Sequence, residues 1–177
     1  MIYPSEAVLV ELGRVTWAAI NLEDMVGYVC RWINQADRDN APASVRIDDA
    51  RAVVDSTGGG NEQDRLRRWL DGARQVLEDE RHQILHARPL TFMSPDGTET
   101  DVLGVMPRPT KKGRPGREYT ERPLTVAHLR ESHDAIVAVA EGWRVAMFDA
   151  DVVRDLAGRQ TEEGLPNPSA NPSNGGC

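Results

Sequence analysis

Residues 61–89 read NEQDRLRRWLDGARQVLEDERHQILHARP, and the fold turns on this stretch. Leu66, Trp69, Leu70, Ala73, Val76, Leu77 and Ile84 recur at steps of three and four, the period of a helix with one apolar face. Asn61 stands where an N-cap is wanted. Glu62 and Asp64 follow in the first turn, where the helix dipole favours negative charge. Pro89 disfavours helical geometry at Arg88, so the spacing predicts one long helix ending about there. At about 100° per residue, His82 and His86 fall on the water-facing side and Arg81 at the margin of the apolar stripe. Glu80 falls inside the stripe, where a carboxylate needs a partner.

Three more helices are expected around this one. Ser5 caps a first helix to about Gln35, with Leu12, Val15, Ala19, Leu22, Val26, Val29 and Ile33 in one stripe. Glu23 borders that stripe beside Thr16, Ile20 and Gly27, small neighbours that let another helix approach. A second helix, Ser44 to Thr57, carries Ile47, Ala50 and Val54 at helical spacing. Gly58-Gly59-Gly60 ends it as a turn; no Gly-Lys-Ser/Thr follows and no strand precedes, so it is not a phosphate loop. Thr125 caps a last long helix to about Gly158, with Leu129, His133, Ile136, Ala140, Trp143 and Met147 on one stripe. His133 reads as a core or edge histidine. His128 carries no functional case.

Between the third and fourth helices the pattern changes. Leu90 to Met93 and Glu99 to Met106 have strand-like residues around Ser94-Pro95-Asp96-Gly97-Thr98, a turn signal in which Pro presets φ and Gly tolerates positive φ. A small β-hairpin is expected there. Residues 107–123 then hold Arg108, Lys111, Lys112, Arg114, Arg117 and Arg122 against Glu118 and Glu121, a basic loop. Residues 160–177 are rich in Pro, Asn, Ser and Gly, too polar to offset ordering entropy, and read as a disordered tail. The expected fold is therefore all-α, a mostly up-and-down four-helix bundle over residues 1–159, with the hairpin and basic loop inserted at about 90–123.

The totals narrow the function. A net charge of −7 argues against sequence-blind binding to nucleic acid or acidic membrane, while a local basic patch stays usable. Cys30 lies inside a helical pattern and Cys177 at the last position, which is no disulfide framework. The start has no basic region followed by an apolar run, and no stretch reaches membrane-spanning length. A reduced, cytoplasmic protein without membrane attachment is the expectation.

Two of the four histidines, His82 and His86, lie four apart and share a helix face. The spacing resembles a zinc-protease helix, but Gln83 stands where that chemistry needs a glutamate base, and no third His or Cys ligand is apparent. No metal or cofactor is expected.

Arg81 and His86 read together, as Arg-x4-His at the end of the third of four helices, resemble the signature of the higher eukaryotes and prokaryotes nucleotide-binding (HEPN) superfamily. The resemblance extends to helix order over roughly residues 5–158. It implies a helical bundle that, in many members, is a metal-independent ribonuclease with its active site between two subunits. Histidine suits proton handling between a ribose 2′-hydroxyl and a leaving 5′-oxygen. Arginine supplies planar donors to the charged transition state. Arg81, His86 and His82 are then the implied catalytic residues, with Glu80 or Glu23 orienting Arg81. Arg108, Lys111, Lys112, Arg114 and Arg117 would contact RNA. A homodimer follows, because Arg81 and His86 diverge on one ideal helix and two helix ends are needed to make one cleft. A toxin or phage-defence role under a regulatory partner such as an antitoxin fits this class. Two other readings stay open: a non-catalytic HEPN-like module that binds nucleotide, RNA or protein, and a helical interaction protein unrelated to HEPN.

Overall fold

The computed structural model describes residues 4–34, 40–81, 84, 87–93, 97, 99–105 and 122–163. The helices are α1 (Glu6–Asn34), α2 (Ala43–Ser56), α3 (Asn61–Val76), α4 (Val126–Glu141) and α5 (Trp143–Glu163). A small antiparallel sheet of β1 (Arg88–Met93), β2 (Glu99–Val105) and β3 (Arg122–Pro123), in that order, lies between α3 and α4 in the chain. Met93 pairs with Glu99 and Arg88 with Gly104, and Pro123 meets Gly104 on the edge strand, where a missing N–H is tolerated.

The fold is all-α in its core. Apart from Leu124, the buried apolar residues lie on helical turns, from Val15 and Leu22 on α1 through Leu66 and Leu70 on α3 to Ile136 and Val153 on α4 and α5. Caps follow from local chemistry. Ser5 Oγ accepts from Val8 N–H at 3.4 Å, and Thr125 Oγ1 from His128 N–H at 3.1 Å. Asn61 does not cap α3. Gly60 does, in extended geometry, because Gln63 folds back so closely that a Cβ on residue 60 would lie 2.3 Å from its Oε1.

Three expectations need correction. The third helix is not regular to Pro89: after Val76 it widens into a π-helical turn, Leu77–Arg81, and Arg88 and Pro89 already belong to β1. The fixed angular step therefore fails just before the candidate residues. The last helix is two helices that break at Gly142, and the second runs to Glu163, past the expected end and into the stretch read as tail; residues 164–177 lie outside the described residues. At the break, Trp69 Nε1–H donates to the Val139 carbonyl at 2.9 Å and its ring lies against Gly142.

Helix directions also depart from strict alternation. α3 runs antiparallel to α2, as the Arg67–Asp55, Arg51–Asp71 and Arg74–Asp48 ion pairs show. It is also antiparallel to α4–α5, tied by Arg65–Asp149 at one end and Ser132–Glu80 at the other. Yet α1 runs parallel to α4–α5: Arg130 meets Glu11 near their starts, and Trp32 Nε1–H donates to Asp151 further along. An up-and-down bundle would set its first and last helices antiparallel. Among the described residues no helix is long and apolar enough to cross a membrane.

Candidate functional site at the end of the third helix

Arg81 is the last residue of the π-helical turn. Its Nη1 lies 3.0 Å from Glu23 Oε1 on α1, with the two side chains 34% and 25% exposed. The pair is half-buried rather than dry, so the guanidinium is held in direction while part of it faces water. Core residues on either side, Leu77 and Ile84, anchor this end of the element.

Glu80, the other residue expected to orient Arg81, turns elsewhere. It accepts a short hydrogen bond from the hydroxyl of Ser132, a buried residue of α4. This answers its need for a partner inside the apolar stripe: a hydroxyl one helix away satisfies it. Glu23 and Glu80 thus divide their work, one steering Arg81 and the other tying the turn to α4.

One guanidinium near this site went unread in the sequence. Arg46 of α2 passes over Gly27, one turn beyond Glu23 on α1; a Cβ at residue 27 would lie 2.7 Å from its Nη1. Its Nε is buried without a hydrogen-bond partner among the described residues. The signal that could have found it is Gly27 itself, a glycine inside a long helix where nothing local requires one. Arg46 also lies near the Cys30 thiol. Burial pushes that thiol up to about 12, with Arg46 opposing the shift, so Cys30 is a core residue and not a nucleophile.

His82, His86, Arg108, Lys111, Lys112, Arg114 and Arg117 lie outside the described residues. His133 sits at the edge of α4, with Nδ1 3.1 Å from Asp134 Oδ1. Among the described residues no group of three or more His, Cys, Asp or Glu is arranged to hold a metal ion.

Chemically, the described part of the site is a part-exposed guanidinium held by a carboxylate. Glu23 meets one nitrogen of a planar guanidinium that carries five N–H donors in all. No family model, curated protein or solved structure matches the chain.

Proposed function

We propose that this chain is a metal-independent endoribonuclease of HEPN type, a helical bundle in which Arg81 and His86 work on the scissile phosphate. The observation that carries the reading is the Arg81–Glu23 ion pair at 3.0 Å, part-exposed, in the segment that leads into His86. In this scheme the ribose 2′-oxygen attacks phosphorus, the bond to the 5′-oxygen breaks, and the proton lost by the 2′-hydroxyl is made good on the leaving oxygen. The products are a 2′,3′-cyclic phosphate and a 5′-hydroxyl. His86 handles the proton, Arg81 stabilises the developing charge on the phosphoryl oxygens, and His82 lines the cleft. Glu23 positions Arg81. The segment holding Arg108, Lys111, Lys112, Arg114 and Arg117 contacts the RNA backbone, where local charge outweighs the acidic total. Two copies complete the cleft, and a regulatory protein such as an antitoxin restrains it, in the manner of a toxin or phage-defence component.

RNA cleavage in EDTA tests this directly. The wild type should leave 2′,3′-cyclic phosphate ends. Arg81→Ala and His86→Ala should each lower the rate by about 100-fold or more, the scale set by losing a charge-stabilising donor. Unchanged cleavage in either variant removes the mechanism. Binding without turnover, weakened by changes between Arg108 and Arg117 but not at His86, would assign a non-catalytic module instead.

A further inference from the structure

Ser132 is a buried hydroxyl that the cleavage scheme does not use. It sits on the core line of α4 between Leu129 and Ile136, where periodicity calls for an apolar residue, and is 1% exposed. Its hydroxyl donates to Glu80, a half-buried residue of the π-helical turn. A carboxylate brought against the core needs a donor, and serine supplies one with little bulk. An apolar residue at 132 would leave that carboxylate without one. The serine is therefore explained by the turn that packs on it.

The turn Leu77–Arg81 is tied to two neighbouring helices. Arg81 meets Glu23 on α1 at 3.0 Å, and Glu80, the residue before it, meets Ser132 on α4. Glu78 pairs instead with Arg74, four residues back along the same rod, so that bond reaches no other helix. A π-helical turn takes one residue more than an α turn, is rare, and occurs mostly as a single turn at a functional site. Closing it to α geometry would swing its end by up to about 100°, one residue's step. Arg81 would then leave Glu23. The two ties are made by consecutive residues, so a change of pitch that breaks one displaces the other.

We propose that Ser132 is a positioning residue for Arg81, acting through Glu80: its hydrogen bond keeps the π-helical turn open, and the open turn aims the guanidinium. Without the hydroxyl, the Glu80 carboxylate loses its donor at the core and swings toward water, taking the turn with it. Arg81 then loses the direction in which Glu23 holds it. Support of this kind acts on the rate of the chemical step more than on affinity, because it orients a donor that works in the transition state. The effect on RNA cleavage rests on the nuclease reading; the tie from Ser132 to Arg81 does not.

Nuclear magnetic resonance on the full chain reads the tie without RNA. The Nη signals of Arg81, assigned by their loss in Arg81→Lys, should be split in the wild type, because the ion pair hinders rotation of the guanidinium. They should merge in Ser132→Ala as they do in Glu23→Ala, and stay split in Glu80→Gln, whose amide oxygen still accepts from the hydroxyl. On RNA, Ser132→Ala should lower kcat by about 10- to 100-fold with KM within about two-fold, the scale of a misdirected group. Glu80→Ala should do the same, and the double variant should be no worse than either. Circular dichroism checks helicity; if Ser132→Ala loses it, Glu80→Ala, at the half-buried end of the bond, carries the test. Signals that stay split when the bond is removed overturn the proposal, as does a rise in KM at constant kcat. Merged signals in a chain that cleaves no RNA would leave the positioning role and remove the nuclease. Cleavage by a wild type whose Arg81 signals ignore Ser132→Ala would do the reverse.

Discussion

Glu11 is the clearest case of a single side chain answering to its surroundings. Buried on α1, it accepts from Arg130 Nε at 2.8 Å and lies 3.4 Å from Arg14. The hydrogen bond from Arg130 holds its carboxyl below the ordinary 4.5, with Arg14 adding to the pull and burial opposing it. A carboxyl whose pKa is lower in the folded state stabilises the fold above its unfolded value and loses that contribution as pH falls through the folded value. Wild type should therefore melt above Glu11→Gln at neutral pH, and the gap should narrow as pH drops below about 4.5. A gap independent of pH would show that Glu11 acts by packing alone. Arg81 and Glu23 form a second ion pair between elements, at a wetter site. Their pairing was legible only as one of two alternatives that the resemblance left open, Glu80 or Glu23, and the tertiary packing chose Glu23. Glu80 was legible only as needing a partner; Ser132 lies 52 residues away and nothing local announces it.

At the scale of elements, the break between α4 and α5 is made by a different helix. Gly142 donates its N–H to the Val139 carbonyl at 3.1 Å, and Trp69 of α3 donates to the same oxygen. A Cβ at residue 142 would meet Trp69 Cδ1 at 3.0 Å. Two effects compete in Gly142→Ala: alanine gains up to about 1 kcal/mol in helix propensity, while overpacking against the indole costs about 1–3 kcal/mol. The second should win, giving net destabilisation in chemical denaturation. Trp69→Phe removes the indole donor and should cost about 1–2 kcal/mol through the half-orphaned carbonyl. The two effects should be non-additive in a double-mutant cycle, and simple additivity would show the contact to be incidental. This also explains what periodicity could and could not read. Helix caps at Ser5 and Thr125, and the core stripes of α1 and α3, are local and came through. The π-helical turn did not, because Leu77 and Ile84 keep apolar spacing whatever the pitch between them.

Across the whole molecule the helices are unequally anchored, and the inequality sets where the fold should open first. α1 contributes nine buried residues, whereas α2 buries Ile47, Ala50 and Val54 over 14 residues. What α2 lacks in core it replaces with ion pairs to α3: Arg51–Asp71 at 2.7 Å, Arg67–Asp55 at 2.8 Å and Arg74–Asp48. Their side chains are about one-third to one-half exposed, so each pair contributes at most about 1 kcal/mol and is open to screening. Burial by contrast is indifferent to salt of this kind. Local opening should therefore release α2 before α1 or α3, and more readily as ionic strength rises from about 0.05 to 1 M, where the screening length falls to about 3 Å. Hydrogen exchange read by mass spectrometry checks both halves. Peptides covering residues 43–56 should exchange faster than those covering the buried turns of α1 at 15–33, and added sodium chloride should widen the difference. Equal protection of the two helices would mean that three core side chains suffice to hold α2. Faster exchange that salt leaves untouched would mean that the ion pairs contribute nothing to its anchoring.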